Sequence, residues 1–138
     1  MLIRMDLARI IIIETGDSQV IILRERDGER HFPIMIGMNE AQAIDRRLKG
    51  LKTPRPMTHD LMASIIEKLD AKLERIVIND LRDHTFYARL IVRRDGELVE
   101  IDSRPSDAIA LGSAMGTPIY VEDHVLREVW SEGNENIA

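Results

Sequence analysis

Two short segments concentrate the side chains that could do chemistry. One reads Arg55, Pro56, Met57, Thr58, His59, Asp60, and the other reads Asp102, Ser103, Arg104, Pro105, Ser106, Asp107. Each sets an arginine beside carboxylates where the residue pattern starts a helix, and the first adds an imidazole. A helix start offers unpaired amides and a partial positive charge, which suits a phosphate, and arginine adds a planar fork for its oxygens. Carboxylates in the same place repel a phosphate unless a divalent cation lies between them. That mixture is what metal-assisted phosphodiester cleavage requires: acids hold the cation, the cation activates water, arginine steadies the charge at phosphorus, and histidine moves a proton. On this reading Glu40, Asp102 and Asp107 ligate Mg or Mn. Arg55, Arg104 and Ser106 bind the substrate, and His59, Asp60 and the two arginines carry catalysis.

The same residues have a plainer use. Thr58 and Asp60 are ordinary helix-start residues, with the Thr58 hydroxyl as the expected cap, and Asp107 in a first turn complements the helix dipole without any function. Arg55 and Arg104 could simply pair with those acids, and by spacing alone capping and salt bridging is the commoner outcome. His31, His84, Glu122, Asp123 and His124 read as surface residues. Met35, Met38, Met57, Met62 and Met115 read as core or interface filler.

The elements that must position these segments follow from periodicity. Residues 2–14 and 18–26 are strands rich in Ile, Val and Leu, joined by a tight turn at Gly16 and Asp17. After a turn at Asp27 and Gly28, residues 30–36 form a third strand with Phe32, Ile34 and Ile36 on one face, and Pro33 suggests an edge position. From Gly37 the period changes to a helix burying Ala41, Ile44, Leu48 and Leu51. A second helix from Thr58 buries Leu61, Ile65, Leu69 and Leu73. Residues 74–82 and 85–94 are strands, and Asp95 and Gly96 turn into another that ends near Asp102. Pro105 opens a third helix with Ala108, Leu111 and Ala114 or Met115 inward, and Pro118 to Val121 is a final strand. The expected fold is α+β: one domain, a mixed, mainly antiparallel sheet and about three helices, over residues 1–130, with a loose polar tail at 131–138. Asp27, Gly28, Glu29 recur as Asp95, Gly96, Glu97, each between two strands that lead into a helix. Asp-Gly is so common in hairpins that coincidence is the better explanation.

Length and composition bound the rest. A chain of 138 residues can close one core without staples, and with no cysteine it has no disulfide, thiolate metal site or cysteine nucleophile. The longest apolar run, Ile10 to Ile13, is far short of a membrane span, and no secretory signal opens the chain, so a cytoplasmic protein without membrane attachment is expected. Nineteen basic and 24 acidic residues give a net charge of −5, so a nucleic-acid partner must meet a local arrangement of charge rather than a basic surface. Two Phe, two Tyr and one Trp offer little for base stacking. Phosphate-loop, dinucleotide-fingerprint and nucleophile-elbow motifs are all missing.

Residues Arg55 to Leu61, Phe86 to Ala88, Asp102 to Leu111, Pro33 to Gly37 with Glu40 and Ala41, and Pro118 to Val121 together resemble the bifunctional nuclease domain family. The match runs in order to about residue 128. The resemblance implies a compact α+β fold, a homo-oligomer with the dimer favoured, and nuclease (RNase and DNase) activity as described for plant members. It also makes joint capping a poorer account of the two helix-start segments. Two classes of function remain in view: hydrolysis of phosphodiester bonds in RNA or DNA, and a non-catalytic small-anion-binding or oligomeric assembly module. Pairing with a partner through an edge strand is a third.

Overall fold

Alternating Ile, Val and Leu extend the first third of the chain into strands. The computed structural model describes residues 1–13, 15, 16 and 18–137, with side chains through residue 130. The Asp17 half of the expected first turn lies outside the described residues. Strands β1 (Leu2–Ile11), β2 (Gln19–Glu25) and β3 (His31–Ile36) lead into helices α1 (Met38–Leu48) and α2 (Thr58–Lys68). Strands β4 (Lys72–Arg82), β5 (Thr85–Arg94) and β6 (Glu97–Ser103) lead into α3 (Pro105–Met115), followed by β7 (Ile119–Glu122) and α4 (Asp123–Ile137).

All seven strands form one sheet in the order β3-β2-β1-β7-β4-β5-β6. Every pairing is antiparallel except that of β4 with β7. The α+β class with a mixed, mainly antiparallel sheet is therefore observed. β3 is an edge strand, as Pro33 suggests, and Phe32, Ile34 and Ile36 are buried as expected. Two antiparallel meanders, β1-β2-β3 and β4-β5-β6, flank β7, and each runs straight into a helix. The recurrence around the two Asp-Gly pairs thus extends to topology. The turns themselves differ: Asp95 and Gly96 both have positive φ (50° and 78°), as a two-residue hairpin needs, whereas Asp27 and Gly28 do not.

Helix α3 is the hub of the core, with Ala108, Ile109, Ala110 and Leu111 buried beneath the sheet. Gly112 lets it approach β4 so closely that a Cβ at this position would overlap Ile76 Cδ1.

Three expectations are corrected. Among the described residues the helices number four, not about three, because α4 follows β7 directly. Val125 and Leu126 are fully buried and Val129 partly so, a short apolar stripe that the polar residues around it disguise. In α2 the inward residues are Ala63, Met62 and Ile66, while Leu61, Ile65 and Leu69 are about half exposed. This helix has two apolar stripes, and periodicity alone does not say which one meets the sheet. In α1, Ala41 and Ile44 are buried, but Leu48 and Leu51 lie at the surface. Among the described residues no helix is long and apolar enough to cross a membrane.

Candidate active site

Three helix starts meet at one place. Helix α1 begins after Gly37, α2 after Met57 and α3 after Arg104, and each carries an acid at its third position: Glu40, Asp60 and Asp107. Acids there are favoured by the helix dipole, and the simplest use is to cap backbone amides. Asp60 does this: its Oδ2 accepts from the Met57 amide at 3.0 Å. The cap of α2 is thus completed by Asp60, and Thr58 is the first helical residue rather than the cap.

Asp107 is used differently. Its Oδ1 lies 3.1 Å from His59 Nε2, and its Oδ2 accepts from Arg104 Nε at 3.0 Å and Nη2 at 2.8 Å. The same Nη2 donates to Glu40 Oε1 at 2.8 Å. The result is a chain Glu40, Arg104, Asp107, His59 that ties the starts of α1, α3 and α2. Glu40 and His59 are mostly shielded, each side chain 13% exposed, whereas Arg104 remains open to solvent at 69%. The hydrogen bonds and charge of Asp107, with the charge of Glu40 added, raise the Arg104 pKa above its ordinary value, so the guanidinium is a permanent cation. An ionised carboxylate can only accept, so a neutral His59 facing it donates from Nε2 and keeps Nδ1 as the acceptor. Glu40 also folds over Gly37, where a Cβ would lie 2.6 Å from Glu40 Oε2.

Two cavities flank this chain. One, of about 300 Å³, lies between α1 and α2 and is lined by Arg46, Arg47, Lys52, Arg55, His59 and Asp60, with Ala110 and Ala114 of α3 also facing it. The other, of about 420 Å³, is lined by Gly37, His84, Phe86, Arg104 and the buried Ser106, among others. Arg55 is exposed and touches the first cavity only.

Of the residues picked out in the sequence, the fold brings together Glu40, His59, Arg104 and Asp107, with Arg55 and Asp60 on one side and Ser106 on the other. Asp102 is the exception. It pairs with Arg89 across the β5-β6 ladder, while its neighbours Ile101 and Ser103 pair with the core residues Leu90 and Ala88. Side chains alternate along a strand, so Asp102 belongs to the sheet face turned away from the helices.

The expected metal set does not assemble. Among the described residues no group of three or more His, Asp or Glu side chains could hold a metal ion. Glu40 and Asp107 both spend an oxygen on the Arg104 guanidinium, which occupies the position a bridging cation would take. The residues present do not fit a three-ligand metal centre.

Sequence reading missed Arg46, Arg47 and Lys52. The signal was there: residues 46–55 hold five cations and no acid in a chain of net charge −5. Among the described residues Arg46, Lys52 and Arg55 have no ion-pair partner, and Arg47 reaches Asp60 only at 4.0 Å.

Residues 21–132 match the family model of the bifunctional nuclease domain. An uncharacterized protein of Mycobacterium tuberculosis (strain ATCC 25618 / H37Rv) is 44% identical over 119 residues, covering 86% of this chain and 71% of that protein. Bifunctional nuclease 1 of Oryza sativa subsp. indica is 22% identical over 116 residues, and Bifunctional nuclease 2 of Oryza sativa subsp. japonica is 26% identical over 114. The match covers 35% of each of these two plant proteins.

Proposed function

This chain belongs to the bifunctional nuclease domain family, and from that premise we propose that it hydrolyses phosphodiester bonds in RNA or DNA at the junction of α1, α2 and α3. The observation that carries the reading is the chain of hydrogen bonds from Glu40 through Arg104 and Asp107 to His59. His59 acts as general base through Nδ1 and takes a proton from the attacking water, since Asp107 holds its other nitrogen; as the new bond to phosphorus forms, the bond to the leaving sugar oxygen breaks and that oxygen takes its proton from solvent. Arg104, open to solvent and clamped by two carboxylates, faces the non-bridging oxygens and steadies the charge that builds at phosphorus. Asp107 and Glu40 are positioning residues. Asp60 is left to its cap, and Ser106 and Arg55 contact the strand on either side.

No step runs through a divalent cation. Mg²⁺ or Mn²⁺ bound to Glu40 and Asp107 would first have to displace Arg104, so metal addition is an arm of the experiment rather than part of the mechanism. The test is cleavage of single-stranded RNA and duplex DNA by purified protein with magnesium, with manganese and with chelator. The proposal expects cleavage by the wild type and a loss of about 100- to 10,000-fold in His59→Ala. Equal cleavage by the two proteins would remove the assignment.

One observation favours a second reading. The Glu40, Arg104, Asp107 ion pairs also tie α1 to α3, and the His59 contact with Asp107 adds α2, as an assembly or small-anion-binding module would require. In that case Arg104→Ala lowers the melting temperature or changes the oligomer, and there is no cleavage to lose. A cytoplasmic homodimer is part of the proposal. The half-exposed stripe Leu61, Ile65, Leu69 on α2 supports self-association. Leu61→Asp with Ile65→Asp is expected to halve the mass measured by light scattering. An unchanged mass would place any dimer contact elsewhere.

A further inference from the structure

The cavity between α1 and α2 is where positive charge accumulates without compensation. Arg46 and Arg47 come from the last turn of α1, Lys52 and Arg55 from the loop that follows, and all four line a hollow of about 300 Å³. Many arginines elsewhere on the surface are matched, Arg26 with Asp6, Arg30 with Glu25, Arg82 with Asp80, Arg93 with Glu74 and Arg127 with Asp123, while Arg9, Arg24 and Arg94 stand without an ion-pair partner among the described residues and are not among the lining of this cavity. Here, among the described residues, three of the four cations have no ion-pair partner. The only lining carboxylate among the described residues, Asp60, already accepts from a backbone amide. Several like charges around one hollow repel each other, and the arrangement becomes favourable when an anion enters.

From this we infer that the cavity is a phosphate-binding subsite that holds a strand phosphate adjacent to the bond being cut; the inference rests on the nuclease reading of the neighbouring residues. His59 lines the cavity while Nε2 faces Asp107, so a strand phosphate seated among Arg46, Lys52 and Arg55 leaves its neighbour beside His59 and Arg104. The volume is at the lower end for small-molecule pockets, enough for a phosphate and part of its sugar rather than a stacked run of bases. Arginine forks and a lysine point charge recognise phosphate oxygens whatever the base, so the subsite confers affinity and register but no sequence preference. It also resolves how an acidic chain grips a polyanion: the contact is local.

The experiment is fluorescence anisotropy with a short 5′-labelled single-stranded RNA whose hydrolysis-resistant phosphorothioate linkages keep the backbone charge, across a salt series. Wild type is compared with Arg46→Gln/Lys52→Gln and with Lys52→Gln alone, each checked for an unchanged circular dichroism spectrum. The plot of log affinity against log salt is expected to flatten by about 1.4 in the double variant and about 0.7 in the single one, equally for RNAs of different sequence. Unchanged slope and affinity would overturn the subsite. A parallel arm measures melting temperature with inorganic phosphate and with a mononucleotide. If these stabilise wild type but not the double variant while the RNA does not bind, the strand assignment is overturned in favour of a free small anion. RNA that binds with the expected slopes but is never cleaved upholds the subsite and removes the nuclease reading. Cleavage with slopes that ignore both substitutions does the reverse.

Discussion

Glu40, Asp60 and Asp107 occupy the same position in three helices, and their partners separate structure from function. Asp60 serves a backbone amide; Asp107 serves two side chains from different elements. Asp60→Ala is therefore expected to cost about 1 kcal/mol of stability, the usual value of a lost cap, with cleavage changed by no more than a few-fold. Chemical denaturation beside the cleavage assay measures both. Asp107→Asn is expected to keep the fold and lose at least on the order of 100-fold in kcat, because an amide can turn its NH₂ toward His59 and invert the tautomer. Gly37→Ala tests Glu40 without touching it. The backbone there is ordinary (φ −77°), so the added methyl acts only by pushing the Glu40 carboxylate away from Arg104. A several-fold fall in activity at nearly constant melting temperature is expected, and unchanged activity would show Glu40 to be dispensable. At this scale the two helix-start segments and Glu40 were legible in the sequence. Asp102 could have been excluded too, since the two-residue Asp95-Gly96 turn fixes the β5-β6 register and pairs Asp102 with Arg89.

Among the elements, α3 decides where Asp107 and Arg104 lie, and α3 is seated by the contact of Gly112 with Ile76. Gly112→Ala forces the new methyl against a fully buried isoleucine and is expected to cost about 1–3 kcal/mol, the range for overpacking. Ile76→Val removes the opposing Cδ1 and alone costs about 0.5–1.5 kcal/mol. Together they are expected to cost less than the sum, and strict additivity in a double-mutant cycle would contradict the packing account. Strand positions, the β3 edge and the buried face of α1 at Ala41 and Ile44 were readable because alternation and helical period each point one way. The buried face of α2 was not, because Leu61, Ile65, Leu69 and Met62, Ala63, Ile66 are equally apolar stripes and only the sheet chooses between them. α4 escaped because Val125, Leu126 and Val129 are too few to stand out among charges.

For the molecule as a whole, surface charge sets the acid limb of stability. Hydrogen bonds from arginine lower the pKa of Asp6 (Arg26), Glu25 (Arg30), Glu74 (Arg93) and Asp80 (Arg82) below their ordinary values of 3.8 for Asp and 4.5 for Glu. Groups with lowered folded pKa stabilise the fold fully above the unfolded value and lose that contribution as pH falls through the folded one. The melting temperature is therefore expected to hold from neutrality to about pH 5 and to fall below about 4.5, less steeply in high salt because most of these pairs are solvent-exposed. A fall that began near neutrality would mean that other groups dominate. The central claim concerns the His59, Asp107, Arg104 chain, and it is tested most directly by one assay: initial rates of single-stranded RNA and duplex DNA cleavage by wild type and Asp107→Asn, in chelator and in magnesium. Cleavage by wild type that survives the chelator and is lost in the variant is the predicted result. Cleavage that vanishes with chelator would contradict a mechanism without metal, and cleavage that survives in Asp107→Asn would contradict the site itself.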